Sequence, residues 1–293
     1  MATEGGHSSE YDPLLRPKLQ AEAVRVIRAF SFAGAHVVII GGLVPSLLVP
    51  EPEAGIERHI GTQDLDLCLS IALVAGDVGN YDRLEQTLKK AGFIMARDGG
   101  QSISWRWRGG VDLSLTVEFF CPVGPDREPG RLYRPGGVVG GKLSALVLAA
   151  GRLIDADVRD VEVDVDLPGG GGKTRQSLKV VGPAAYLAAK ADALRRRDKN
   201  KDAYDVIWLA ESWPGGQAAL AQAIRASAVA RDVDFLVALE TLKHEFSTID
   251  SAGAVKYARF MGDDASSQDL LARRAVGAIA ALFRELGARS STR

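Results

Sequence analysis

Thr62-Gln63-Asp64-Leu65-Asp66-Leu67 sets two carboxylates one residue apart in an apolar run, about twenty residues after Val37-Val38-Ile39-Ile40-Gly41-Gly42. In a β-strand successive side chains alternate faces, so the spacing predicts Asp64 and Asp66 on one face and Leu65 and Leu67 on the other. Two carboxylates on one face repel each other and lose hydration unless something cationic sits between them. A divalent metal meets that need, and Mg²⁺ is usually held by one or two carboxylates plus the phosphates of a substrate. A glycine pair after a buried strand offers those phosphates a close backbone approach. The pattern points to a metal-dependent nucleotide site. The bland alternative is the exposed face of an edge strand. Leu65, Leu67, Cys68, Leu69 and Ile71 argue against it, because they require at least one buried face.

A chain of 293 residues has room for two domains. Its composition, 46% apolar and 25% charged, is that of a soluble globular protein. A net charge of −1 excludes bulk nucleic-acid binding through a global basic field, so any such contact needs a local patch. Cys68 and Cys121 lie in apolar runs and read as small core residues; there is no disulfide framework, which is compatible with a reducing compartment. Residues 1–10 lack the apolar core of a signal peptide. The longest weakly charged stretch, 32–50, is broken by Gly34, Gly41, Gly42, Pro45 and Pro50, so no membrane span is expected. The expectation is a cytoplasmic protein.

Residues 1–16 read as a disordered N-terminus, and Leu19, Ala23, Val26, Ile27 and Phe30 recur at helical spacing over 17–32. A strand over 37–40, the Gly41-Gly42 turn and the start of a helix in 43–49 follow, then a polar loop over 50–61 and a strand over 64–71. A helix over 81–91 stops at Gly92. Strands are expected over 93–96, 102–107 and 113–121, with turns at the glycines of 99–100 and 109–110. From Arg131 the chain turns irregular, and two strands over 158–167 and 176–181 flank Pro168-Gly169-Gly170-Gly171-Gly172. After Pro183 come helices over 184–195, 201–211, 216–227, 232–242 and 270–286. The fold class is α/β (α+β): a mixed sheet with flanking helices in 17–180, then a mainly helical C-terminal domain in 181–293.

Gly169–Thr174 looks like the end of a phosphate-binding P-loop, but Leu167 stands where that motif needs glycine and the segment leads into a strand. A hairpin turn is the better reading. A two-metal site needs a third acid, for which Asp112 and Glu118 are the candidates. Glu118 is favoured, because a charge within Leu115-Thr116-Val117-Glu118-Phe119-Phe120-Cys121 demands a partner. Between Lys190 and Lys201 stand six cations (Lys190, Arg195, Arg196, Arg197, Lys199, Lys201) against Asp192 and Asp198, a basic patch on a neutral protein. A solvated, cationic helix end explains the same residues.

Three pieces together resemble the AbiEii-like nucleotidyltransferases, toxins of type IV abortive-infection systems within the DNA polymerase β-like nucleotidyltransferase superfamily. They are Gly41-Gly42-Leu-Val-Pro with His59-Ile-Gly-Thr62-Gln-Asp64-Leu-Asp66-Leu, the strand bearing Glu118 and ending Phe-Phe-Cys-Pro122, and Lys190…Arg197…Lys201-Asp202-Ala-Tyr-Asp205. The resemblance implies transfer of NMP from an NTP to an acceptor hydroxyl, with one or two Mg²⁺ ions held by Asp64, Asp66 and Glu118 and the site in the cleft between the domains. Gly41 and Gly42 would begin the turn that receives the triphosphate, with Thr62 beside the nucleotide. Lys190 would neutralise triphosphate charge, while Asp202, Asp205 or Arg197 orients it or the nucleotide. It further implies an RNA acceptor, tRNA included, and an antitoxin protein as partner. Two departures stand out: Gly42 occupies a position often held by serine, and Glu118 one commonly held by aspartate. A small-molecule acceptor, or a binding module without transfer activity, stays open. His59 reads as a loop residue, and Arg273-Arg274 as a weak extension of the basic surface.

Overall fold

The computed structural model describes residues 6–12, 14–32, 37–62, 64–69, 78–109, 115–134 and 143–288, without the side chains of 29, 31–32, 64–69 and 78–83. It forms two compact units. One comprises 13–44 and 61–181; the other comprises 1–12, 45–60 and 182–293.

The first unit is built on a mixed sheet. Its strands are β1 (Val37–Ile40), β2 (Asp64–Leu69), β3 (Ile94–Asp98), β4 (Gln101–Gly109), β5 (Leu115–Pro122), β6 (Leu132–Tyr133), β7 (Ala145–Leu148), β8 (Val158–Leu167) and β9 (Gly172–Val181). The main order is β3-β4-β5-β2-β1-β9-β8, with β7 on β5 and β6 on β7. β1, a run of β-branched residues, is buried at all four positions, as a strand covered on both faces must be. It pairs antiparallel with β2 and parallel with β9, and β2 pairs parallel with β5. Helix α1 (Leu15–Phe32) packs its buried stripe, Val24, Val26 and Phe30 among it, within this unit, and Phe30 meets Phe119 of β5 at 5.7 Å. Helix α3 (Val78–Lys90) ends at Gly92, whose φ of +82° suits glycine.

β8 and β9 form a ten-residue hairpin whose turn is Pro168–Gly170, so the glycine cluster is a turn leading into a strand. Edge strand β8 carries Asp160 and Asp164, paired to Lys179 and Arg175 of β9; such charges discourage edge-to-edge association.

A short helix, α4 (Gly151–Ala156), sits on the end of β5. A Cβ on Gly151 would lie 2.4 Å from Pro122 Cα, a backbone atom that cannot yield. Gly151→Ala is therefore expected to destabilise the protein by about 1–3 kcal/mol, read as a lowered urea midpoint. An unchanged midpoint would contradict this packing.

The second unit is helical: the short α2 (Val44–Leu48), which joins it from Pro45 on, then α5 (Pro183–Arg196), α6 (Asn200–Ser212), α7 (Gly216–Arg225), α8 (Val233–Glu245), α9 (Ala252–Met261) and α10 (Ala265–Gly287). Helix α6 is its centre, buried from Asn200 to Ala210 and packed on α5, α7, α9 and α10. None of the described helices is long and apolar enough to cross a membrane.

Several expectations need amendment. Residues 6–12 are ordered, while 1–5 lie outside the described residues: Ser8–Glu10 form a 3₁₀ turn, Asn200 Nδ2 donates to Gly6 O (3.2 Å) and Tyr11 meets Phe260 edge-on at 5.5 Å. One aromatic anchor explains why a polar segment is held. Residues 50–60 of the expected loop belong with the helical unit, for reasons given below. α9, α4 and β7 were not expected, because small residues and glycine blur their periodicity. Residues 70–71 of the expected strand, and the glycines of 136–141, lie outside the described residues.

Candidate active site

The carboxylate strand is fixed by its register. Asp66 pairs at Cα with Ile40 of β1 on one side and Glu118 of β5 on the other, and Glu118 pairs in turn with Arg106 of β4. Ile40, Asp66, Glu118 and Arg106 thus form one backbone row across four strands, and Asp64 opposes Thr116. Gly41 follows Ile40 directly and takes φ +76°, a left-handed backbone that a side chain resists. Gly42, next in the turn, is buried, as is Thr62 just before β2. The shared face expected of Asp64 and Asp66, the side chain of Cys68, and Asp112 all lie outside the described residues.

Glu118 is 9% exposed, and its Oε1 accepts from Arg106 Nε. The partner that its apolar strand demands is therefore present, and it is an arginine that sequence reasoning missed. The alternation Trp105-Arg106-Trp107-Arg108 carried the signal: Arg106 stacks on Trp105, 4.9 Å from its centroid. Cys121 is buried and unpaired by any disulfide, and burial pushes its thiol up to about 11, so it is an inert core residue.

The second constellation lies in the helical unit. Lys190 on α5 reaches across to α6, where Asp202 and Asp205, three residues apart, share a face. Lys190 Nζ donates to Asp202 Oδ1 (2.7 Å) and Asp205 Oδ2 (2.6 Å). Lys201 Nζ donates to Asp205 Oδ1 (2.6 Å). Arg197, in the α5–α6 connection, clamps Asp202 with Nε at 2.7 Å and Nη2 at 2.9 Å. Lys190, Lys201, Asp202 and Asp205 are all buried, whereas the Arg197 side chain is 54% exposed. Burial works against every charge here, yet the opposite charges prevail at three of them. Asp202 is held down to about 2 by Lys190 and Arg197, and Asp205 lies well below the carboxylate range because of Lys190 and Lys201. Lys190 is raised by Asp202 and Asp205. Lys201 is lowered, since its burial and Lys190 outweigh Asp205.

The structure thus brings together Lys190, Arg197, Asp202 and Asp205, and adds two residues, Lys201 and His59. His59 is buried at 2% exposure, with Nε2 2.9 Å from Asp205 Oδ1, and its ring lies against Tyr204 (5.1 Å) and Trp208 (4.9 Å). Being a loop residue, it showed no periodicity that would reveal its burial. The basic patch is weaker than its count, because Arg195 and Arg196 both pair with Asp192. Arg274 pairs with Glu211 and Arg273 with Asp269.

Burial lowers the pKa of His59 to about 4 from 6.5, with Lys201 adding to the effect against the Asp205 bond. The unfolded chain takes up this proton below pH 6.5 and the folded one only near 4, so stability is present above 6.5 and falls as pH drops through that window. The loss approaches about 3 kcal/mol. His59→Gln, which cannot titrate, is expected to flatten the pH dependence of the urea midpoint between pH 6.5 and 4.5. An equal slope in both proteins would contradict a buried neutral His59.

A family model described as "Nucleotidyl transferase AbiEii toxin, Type IV TA system" matches residues 62–281. The match takes in Asp64, Asp66, Glu118 and the Lys190–Asp205 region, and begins after Gly41, Gly42 and His59. No curated protein matches significantly. Among solved structures the chain is similar to the crystal structure of an antigenic nucleotidyltransferase-like protein from Paracoccidioides brasiliensis. The identity is 18%, the match covers 80% of this chain and 91% of that one, and the TM-score is 0.38.

Proposed function

The chain belongs to the AbiEii nucleotidyltransferase toxin family, and from that premise we propose that it moves NMP from an NTP to an acceptor hydroxyl on RNA, with tRNA the favoured class. The reading rests on the backbone row in which Asp66 stands opposite Glu118 beside the Gly41 turn. Asp64, Asp66 and Glu118 offer only hard carboxylate oxygens, a donor set that fits Mg²⁺. These three would hold it, and when bound it neutralises phosphate charge and acidifies the acceptor hydroxyl.

In the proposed reaction the acceptor oxygen forms a bond to the α-phosphorus of the NTP, and the bond from that phosphorus to the β-phosphate oxygen breaks. Pyrophosphate leaves with the electron pair, and the hydroxyl proton passes to Glu118. Arg106 keeps the Glu118 carboxylate from swinging out of the row. The Gly41-Gly42 turn and Thr62 receive the nucleotide. Lys190 neutralises triphosphate charge as a point-charge donor, and Asp202, Asp205 and Arg197 hold it in aim. Catalysis is then mainly positioning and electrostatic stabilisation. An antitoxin protein is the proposed partner, and the cytoplasm, where NTPs are available, the proposed compartment.

A small-molecule acceptor is the second reading, favoured by the pairing of Arg195 and Arg196 with Asp192. Incubation with each α-labelled NTP, Mg²⁺ and total tRNA separates the two. RNase-sensitive, acid-precipitable label is expected. Label confined to small-molecule acceptors would replace the first reading by the second, and label on neither would overturn both.

A further inference from the structure

We infer that His59 is a positioning residue for Lys190, acting through Asp205 as a fixed hydrogen-bond donor. The inference deepens the transfer reading and rests on it for the role of Lys190.

Asp205 serves three donors. Its Oδ2 accepts from Lys190 at 2.6 Å, and its Oδ1 accepts from Lys201 at 2.6 Å and lies 2.9 Å from His59 Nε2. An ionised carboxylate only accepts, so His59 carries its proton on Nε2. A carboxylate held at one oxygen by a donor of fixed direction resists rotation about its Cβ–Cγ bond, and the other oxygen is left aimed at Lys190. Lys201 alone is a poor lock, because an ammonium on a flexible stem follows its partner. His59 is the rigid member. Its ring packs against Tyr204 and Trp208, one on each side of Asp205 in the α6 sequence.

The segment carrying His59 is fastened independently of that bond. Trp208 Nε1 donates to Glu57 O at 3.0 Å, and Ile60 N donates to Tyr204 Oη at 2.9 Å. These two bonds, with the His59–Asp205 contact between them, seat residues 57–60 on α6, and residues 45–60 accordingly belong to the helical unit. Gly61 then takes φ +93°, and Asp64 opens β2 three residues on. The donor is thus mounted on the segment that leads into the carboxylate strand. The family match begins at Thr62, three residues after His59.

Two substitutions separate a donor from a packed ring. His59→Gln keeps an N–H near the Nε2 position and loses the ring; His59→Phe keeps the ring and loses the N–H. With labelled NTP at limiting concentration, His59→Gln is expected to retain kcat/KM within about threefold, and His59→Phe to lose at least tenfold. The reverse order would make His59 a packing residue and overturn the inference, as would equal activity in both. Were His59→Phe not to fold, His59→Gln decides alone: a folded Gln variant down tenfold or more overturns it.

Amine acylation read by mass spectrometry gives a second measure that needs no turnover. His59→Phe is expected to raise modification of Lys190 at least fivefold over wild type, and His59→Gln to leave it unchanged. A wild-type chain that transfers no label while the acylation pattern holds would sink the transfer reading and leave the His59–Asp205–Lys190 linkage standing. A flat acylation pattern with active wild type would sink only the linkage.

Discussion

Asp205→Ala is expected to cost about 3–5 kcal/mol of folding stability, the range for breaking a buried ion pair from one side. Asp205 is 1% exposed and bonds Lys190, Lys201 and His59. Removing it leaves Lys201, itself 2% exposed, without the carboxylate that it bonds, and Lys190 with Asp202 alone. The cost falls on desolvated ammonium groups, which is why it exceeds the loss of three ordinary hydrogen bonds to a neutral group. Arg197→Ala supplies the contrast. Arg197 also binds an aspartate with two N–H groups, but its side chain is 54% exposed, so about 1 kcal/mol or less is expected. Urea titrations of both variants at pH 7.5 check the pair. A loss below 1 kcal/mol for Asp205→Ala, or an equal loss for both, would contradict a network held by burial.

The second large effect is on turnover. Asp66→Asn is expected to lower transfer by about a thousandfold or more, equivalent to roughly 4 kcal/mol of transition-state stabilisation. Asparagine keeps the size and one oxygen but lacks the charge that a divalent cation requires. The backbone pairing of Asp66 with Ile40 and Glu118 makes no demand on its side-chain charge, so the fold should persist with an unchanged circular dichroism spectrum. Glu118→Gln is a different test, because it also strands the Arg106 guanidinium. Residual transfer of one part in ten by Asp66→Asn would place the chemistry elsewhere.

The two constellations were legible in the sequence to different depths. Asp64, Asp66 and Glu118 were readable because strands alternate and a charge in an apolar run is conspicuous. The register that sets Asp66 opposite Glu118 is a long-range pairing that no local pattern encodes. Lys190 and Arg197 were readable as part of a run of cations that also read as a solvated helix end, while Asp202 and Asp205 entered only through the family resemblance. Only the packing of α6 at the centre of its unit reveals that Lys190, Asp202 and Asp205 are buried. His59 and Arg106 were missed for opposite reasons: one sits in a loop with no period, the other in a strand whose alternation looked ordinary. The reading of residues 1–16 as disordered failed at residues 6–12, where Tyr11 provides an anchor that composition does not weigh.

The most direct test of nucleotidyl transfer compares the two ends of one NTP. Parallel reactions receive the same NTP labelled at the α- or at the γ-phosphate, with Mg²⁺ and total tRNA. Label from the α-position is expected on the acceptor, with γ-label recovered wholly in pyrophosphate, and both signals lost in Asp66→Asn. Recovery of γ-label on the acceptor, or of α-label only in free nucleotide, would contradict the reaction proposed for these residues.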